Sequence, residues 1–377
     1  MDLSDTPEEA DFRARLREWL AAVLPGLPPR PSPDDWPGRR ACDLGWQRRL
    51  HDAGYAGVHW DAPPSVRLIF LEETERAGAP YVGANFVGLL HAGPTIAAEG
   101  TARQRERWLP PILRGEEVWC QGFSEPEAGS DLAALRTRAR RDGDDYVVTG
   151  SKIWTSHAEV ADWCELLVRT DPGAPKHRGI TWLAMPMDAP GITVRPLRTP
   201  AGSAEFAEVF LDEVRVPVAN RVGDENDGWR VTMVTLSFER GTAFAGEVVA
   251  CRRVLGELAV EARKNGRWDD PGLRRRLGRL HAEFRALWRL TQWNVSAAEA
   301  SGGVPGTGGS VFKLRYSHAR QELYEAAAEV LGPDSLDLDR PWTVDRLSSL
   351  AYTIAAGTSQ IQHNIIAERI LGLPKGR

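Results

Sequence analysis

The apolar residues of this 377-residue chain change their spacing twice, and that double change limits the fold more than any single motif does. Along residues 7–24 the apolar positions Phe12, Leu16, Trp19, Leu20 and Val23 repeat with a helical period, and Pro25-Gly26-Leu27-Pro28-Pro29 ends the run. Similar patterns cover 42–53, 66–77 and 103–113. After Val118 the chain breaks into short β-prone runs at 146–149, 164–168, 180–184, 192–194, 209–211 and 214–216, separated by Gly, Pro and Asp. Asp142-Gly143-Asp144-Asp145 supplies a hairpin turn before the first of them. The helical period returns in 229–262, 272–300, 312–331 and 347–371, with a Gly-rich break at 301–309. An α+β protein of three modules is expected: a helical domain over 1–117, a β-barrel or sandwich over 118–222, and a four-helix bundle over 223–377. A chain of this length exceeds one hydrophobic core, and a cofactor held between layers suits such an arrangement.

Composition removes several classes of function. The formal net charge is -5, and the Lys and Arg residues are interspersed with acids, so no nucleic-acid partner is expected. The one basic run, 274–279, alternates with Leu273, Leu277 and Leu280 and reads as a solvated helix face above a core stripe. Cys42, Cys120, Cys164 and Cys251 lie far apart and form no CxxC pair, which points away from zinc or a disulfide framework and towards a reducing cytoplasm. The acidic start Met1-Asp2-Leu3-Ser4-Asp5 is unlike a signal peptide, and no apolar run approaches the ~18 residues of a membrane span.

Four segments, in order, carry a resemblance. Phe123-Ser124-Glu125-Pro126-Glu127-Ala128-Gly129-Ser130-Asp131 closely resembles the TEPxAGSD signature of the acyl-CoA dehydrogenase family. Gly150-Ser151-Lys152-Ile153-Trp154-Thr155-Ser156 resembles its GxKxWIT(S/N) strand, Glu208 to Pro217 the strand that closes its β module, and Gly357-Thr358-Ser359-Gln360-Ile361-Gln362 its C-terminal GTSQIQ run. The resemblance implies α,β-dehydrogenation of an acyl thioester, on CoA or a carrier protein, by bound FAD that an electron-transfer flavoprotein reoxidises. It implies FAD contacts at Gln121, Phe123, Ser124, Gly129, Ser130, Trp154, Thr155, Ser156, Thr358, Ser359 and Gln360. Ser156 would stand near flavin N5, and Ser130 would also meet substrate. Small residues such as Gly129 and Ser130 let backbone N–H groups approach the cofactor.

The chemistry needs a base for the α-proton. Medium-chain members carry a Glu immediately before the GTSQ run, where this chain has Ala356. Isovaleryl and long-chain members carry it on the first helix after the β module, where this chain has Glu239-Arg240. Glu239 is therefore the expected base and Arg240 its neighbour or a substrate contact, while the backbone N–H of Ala356 would polarise the thioester carbonyl.

Two partner-facing motifs depart from the pattern. The RKxFG run appears as Arg263-Lys264-Asn265-Gly266-Arg267, leaving Arg263 as the equivalent, and QxxGG appears as Glu329-Val330-Leu331-Gly332-Pro333. These departures resemble actinobacterial dehydrogenases of bulky or sterol-side-chain thioesters, some of them heterotetramers, so a homo- or hetero-oligomer is expected. The join 59–65 is also shorter than in relatives, towards the acyl pocket. Two alternatives stay open: a flavin oxidase or N-oxygenase on the same fold, and a non-catalytic flavin- or thioester-binding subunit.

Overall fold

A computed structural model describes residues 4–239, 244–300 and 308–375, with the side chains of 237–239 and 298–300 outside that description. The N-terminal helices are α1 (Pro7–Val23), α2 (Trp36–Asp52), α3 (Val58–Asp61), α4 (Pro64–Arg76), α5 (Gly93–Glu99) and α6 (Ala102–Leu113). Thr6 and Thr101 open α1 and α6 with capping boxes to Glu9 and Gln104. Asp35 caps α2, whose Pro37 sits in the first turn, so this helix begins six residues before the apolar period becomes visible. The stretch 83–99 has no clean period, yet it forms a π-helical turn, Gly88–Ala92, running into α5. Gln104 also ties α6 to the sheet by donating from Nε2 to the carbonyls of Ala219 and Arg221.

The middle module is one eight-stranded sheet: β1 (Trp119–Gly122), β2 (Arg138–Asp142), β3 (Asp145–Ser156), β4 (Trp163–Arg169), β5 (Ile180–Pro186), β6 (Ile192–Leu197), β7 (Phe206–Pro217) and β8 (Arg221–Val222). Its order is β6-β7-β3-β2-β4-β5-β8, with β1 parallel to β4. The Gly143 turn joins β2 to β3 as expected. The runs 209–211 and 214–216 prove to be one strand, β7, bent at Glu213 where φ is 51°. β2 carried no readable signal because Ala139 is its one buried residue among charged neighbours. Trp108 of α6 meets Trp119 and Trp163 edge-on, and these two indoles stack 5.7 Å apart, which seals the helices to the sheet.

The C-terminal helices are α7 (Gly228–Glu239), α8 (Ala245–Lys264), α9 (Pro271–Ala300), α10 (Gly308–Leu331), α11 (Pro341–Ser349) and α12 (Ser359–Ile365). The expected helix 229–262 is divided into α7 and α8. The expected helix 347–371 is also interrupted, since Ala356 and Gly357 take φ of 51° and 83° and Thr358 starts α12 by capping Ile361 N–H. The bundle core is formed by α8, α9 and α10 together with Leu68 and Leu71 of α4, so the N-terminal module supplies a layer. The α+β architecture stands, with α7 and α8 in place of the first expected helix of the bundle and short pieces in place of the last.

Two contacts fix the elements around the site. The Lys152 ammonium, buried on β3, lies 2.8 Å from Glu125 Oε1 and 3.1 Å from the Phe123 carbonyl. Glu125 also accepts the N–H groups of Arg136 and Thr137. Burial pushes the Glu125 carboxyl up, but Lys152 and these donors outweigh it and hold it below its ordinary value. Gly228 starts α7 against β5, where a Cβ would come within 2.7 Å of Thr181 and Trp182 backbone atoms. Replacing Lys152 by Met leaves Glu125 as an uncompensated buried carboxylate and should cost about 3–5 kcal/mol in denaturant unfolding. Adding Glu125→Gln should recover part of it. Gly228→Val should lose about 1–3 kcal/mol by overpacking; an unchanged unfolding midpoint in either single variant would contradict these assignments.

Candidate active site

The ion pair between Glu125 and Lys152 brings together two segments some thirty residues apart. Ile153 donates its N–H to the Ser124 carbonyl at 2.9 Å, so 123–125 lies directly on β3. Phe123 is buried, Ser124 half-buried, and Gly129 and Ser130 are exposed at the open end of the loop. A Cβ built on Gly129 would meet nothing within 4 Å. Glu125 and Ala128 exchange backbone hydrogen bonds that close the loop between them.

Past Lys152, the pairing of β3 with β7 slips, and the slip coincides with Trp154 at φ 61°. The bulge throws the indole outwards, where it is 59% exposed and edge-on to Phe206. It turns Thr155 fully inwards, its Oγ1 buried without a hydrogen-bond partner among the described residues. Ser156 follows half-buried, and then His157 at φ 59°, with a buried Nδ1 that also lacks a described partner. Left-handed backbone at two large residues in one short stretch is a strained arrangement of the kind that collects at ligand sites. The wall offers an aromatic face, hydroxyl donors and a small-residue loop, which together fit a flavin ring and its phosphates.

Gln121 on β1 faces the other way, into the helices. Its amide nitrogen lies 2.9 Å from His91 Nδ1 and 2.8 Å from Glu165 Oε1, and His91 Nδ1 lies 3.6 Å from the same carboxylate oxygen. His91 and Glu165 are buried. Neither was singled out from sequence, although Glu165 stands inside the apolar run of β4, where a carboxylate demands a partner. His91 lies in the segment without a period.

The C-terminal candidates form a second group. Lys313 on α10 donates to the carbonyls of Tyr352 and Gly357, and Gln362 donates to those of Ala356 and Gly357. These clamps hold the exposed Ala356 in its left-handed conformation. Thr358 is engaged as the cap of α12, Ser359 is buried with Oγ unpartnered among the described residues, and Gln360 is exposed. Arg263 bonds the Ala259 carbonyl of its own helix and stacks 3.9 Å over Trp268. Glu239 is the last residue of α7; its side chain, and Arg240 altogether, lie outside the described residues.

Burial and the nearby Arg39 and Arg30 lower the His157 pKa to about 4, so the imidazole is neutral beside the bulge. An unfolded chain takes up that proton near the ordinary value of 6.5 while the fold resists it down to about 4. Protons therefore favour unfolding in that window, and stability should fall as pH drops through it. His157→Gln should flatten this part of the Tm-against-pH curve.

Three family models match the chain in order: the acyl-CoA dehydrogenase N-terminal domain over 6–116, the middle domain over 120–214 and the C-terminal domain over 226–371. Acyl-CoA dehydrogenase IpdE1 of Mycobacterium tuberculosis (strain ATCC 25618 / H37Rv) is 39% identical over 97% of this chain and 98% of its own length. Among solved structures, the Tcur3481-Tcur3483 steroid ACAD superposes with TM-score 0.87 at 31% identity, and the ChsE4-ChsE5 complex from Mycobacterium tuberculosis with 0.81 at 33%, each covering 100% of both chains. With the flavin wall, the three-module fold and these relatives in agreement, the chain belongs to the FAD-dependent acyl-CoA dehydrogenase family, whose members dehydrogenate acyl thioesters.

Proposed function

We propose that Glu239 is the base of this dehydrogenase and that its substrate is a bulky, polycyclic acyl-CoA. One observation supports the base above the rest. Helix α7 is seated by Gly228 on β5 and packs against the π-helical turn 88–92, which itself touches β1, so the helix that ends on Glu239 lies beside the strand that opens the flavin wall. FAD supplies the hydride acceptor for the substrate Cβ. Glu239 takes the Cα proton, the Cα–H electron pair becoming the new double bond as the Cβ hydride leaves. The Ala356 N–H, held by the Lys313 and Gln362 clamps, donates to the thioester carbonyl and stabilises charge developing there. Ser156 and Thr155 offer hydroxyls at the flavin edge, Phe123, Ser124 and Gly129 line the cofactor, and Ser130 and Arg240 meet the CoA side.

The substrate class rests on the similarity to a steroid dehydrogenase. The same similarity, with that to a ChsE4-ChsE5 complex, supports assembly with a second, related chain. Leu350, Ile354, Leu371 and Leu373 are more than half exposed around the C-terminal loop, an apolar surface suited to burial in such an assembly. Arg263, Thr358, Ser359 and Gln360 would serve flavin there, across the subunit boundary. The four cysteines are free, which suits the cytoplasm, and an electron-transfer flavoprotein is the fitting acceptor. Among the described residues no helix is long and apolar enough to cross a membrane.

Glu239→Gln should retain FAD, seen in its visible spectrum, and lose anaerobic bleaching by a polycyclic acyl-CoA by at least ~100-fold in rate. Mass spectrometry should find the product of the unaltered enzyme two hydrogens lighter. Full bleaching by the Gln variant would overturn the base, a product that gains oxygen would signal an oxygenase, and no bleaching of the unaltered protein by any thioester would mark a binding subunit.

A further inference from the structure

Helices α1, α4, α8 and α9 meet around a cavity of about 200 Å³, and each sends arginine into its wall: Arg13, Arg76, Arg252, and Arg285 with Arg289. Two carboxylates, Asp5 and Glu72, share that wall. The chain as a whole is acidic, with a formal net charge of -5, so five guanidiniums around one concavity are a local arrangement and not a general basicity. None of these residues belongs to the flavin wall, to the end of α7 or to the loop at Ala356.

The acids beside the cavity are already engaged. Asp5 accepts from Arg13 through both oxygens, from Nε at 2.6 Å and from Nη2 at 3.0 Å. Glu72 divides its oxygens between Arg13 at 2.9 Å and Arg76 at 2.6 Å. Glu73, buried next to it on α4, binds Arg13 and Arg17. Three carboxylates thus serve three arginines of α1 and α4. On the opposite side Arg289 donates to the neutral Gln292 side chain at 2.8 Å, while Arg252 and Arg285 have no acceptor among the described residues. Arg285 and Arg289 stand one turn apart on α9, a spacing at which like charges repel. Burial, then Arg76, and further Arg285 and Arg289 loosen the hold of Arg252 on its proton, with Glu72 opposing them. A guanidinium stays charged even so, and the repulsion remains.

We propose that this cavity binds the phosphoryl groups of a small molecule, received by Arg252, Arg285 and Arg289 and faced across the cavity by the braced Arg13 and Arg76. Phosphoryl oxygens accept two parallel N–H bonds from a planar guanidinium, and several such forks around one small volume are what a compact polyanion requires. Bound there, it would offset the charge that the acids of α1 and α4 leave over. Inorganic pyrophosphate and the diphosphate end of a nucleotide present the same chemistry to these arginines. An acidic peptide spreads single charges along its length, which suits an open stripe of cations better than a small concavity.

Titration calorimetry of the FAD-loaded protein with inorganic pyrophosphate, at constant ionic strength, tests this. Pyrophosphate should bind, and Arg252→Ala and Arg285→Ala should each weaken it by about tenfold or more. Arg285→Lys keeps the charge without the fork and should fall between. ADP is the second probe. Binding that needs the same arginines and is much tighter than that of pyrophosphate identifies a nucleotide as the ligand, and binding no tighter identifies the phosphoryl groups alone. Pyrophosphate binding that both alanine variants retain, or its absence from the unaltered protein, overturns the proposal. A hexaglutamate peptide that binds more tightly than pyrophosphate would also overturn it, in favour of docking by an acidic protein segment. Denaturant unfolding gives a readout that does not depend on heat of binding. Relieved of repulsion, each alanine variant without ligand should unfold at or above the unaltered midpoint, and pyrophosphate should raise the midpoint of the unaltered protein only. A lower midpoint in the ligand-free variants would mark these arginines as parts of the fold and overturn the site.

Discussion

The buried pair of Lys152 and Glu125 is the contact on which the rest of the flavin wall depends. It sits where the 123–131 loop meets β3, and it takes a carboxylate and an ammonium out of water at once. Such a pair persists only when every remaining donor and acceptor finds a partner, and here the Phe123 carbonyl and the Arg136 and Thr137 amides provide them. The geometry is correspondingly exacting. With the loop pinned to β3 on one side, the bulge at Trp154 can turn a large aromatic outwards and a threonine inwards without the strand coming away from β7.

A second constraint runs perpendicular to the sheet. Helix α7 is located by glycine packing on β5 at its start and, against one short helical segment, by an exposed ion pair in its first turn and a threonine pair at its middle. The ion pair, being exposed, contributes register more than stability. The buried threonines contribute the reverse. Two different kinds of contact, on successive turns, leave one antiparallel alignment of α7 on the segment Gly88–Glu99, which itself touches β1.

Much of this was legible in the residues. The two changes of apolar period gave the three layers, because burying one face of a helix or a strand requires that spacing whatever surrounds it. The motifs at 123–131, 150–156 and 357–362 gave the family, and the Glu239-Arg240 dipeptide gave a candidate base where Ala356 offers no carboxylate. Other features left no trace in the pattern. β2 is charged on nearly every residue, and the segment holding His91 has no single period, since a π-helical turn changes the repeat within five residues. Helix 347–371 reads as continuous by apolar spacing, yet a left-handed Ala356 divides it, held by hydrogen bonds from Lys313 and Gln362 that no local pattern announces.

By itself, then, the sequence determined the layer order, the chemical class of the flavin wall and the identity of the base candidate, all of which depend on local spacing or on side-chain type. Tertiary structure alone decided that Gln121 turns away from the wall to join His91 and Glu165. That outcome depends on groups 30 and 44 residues apart meeting in one buried volume, where a hydrogen bond unmade in the fold is not replaced by water.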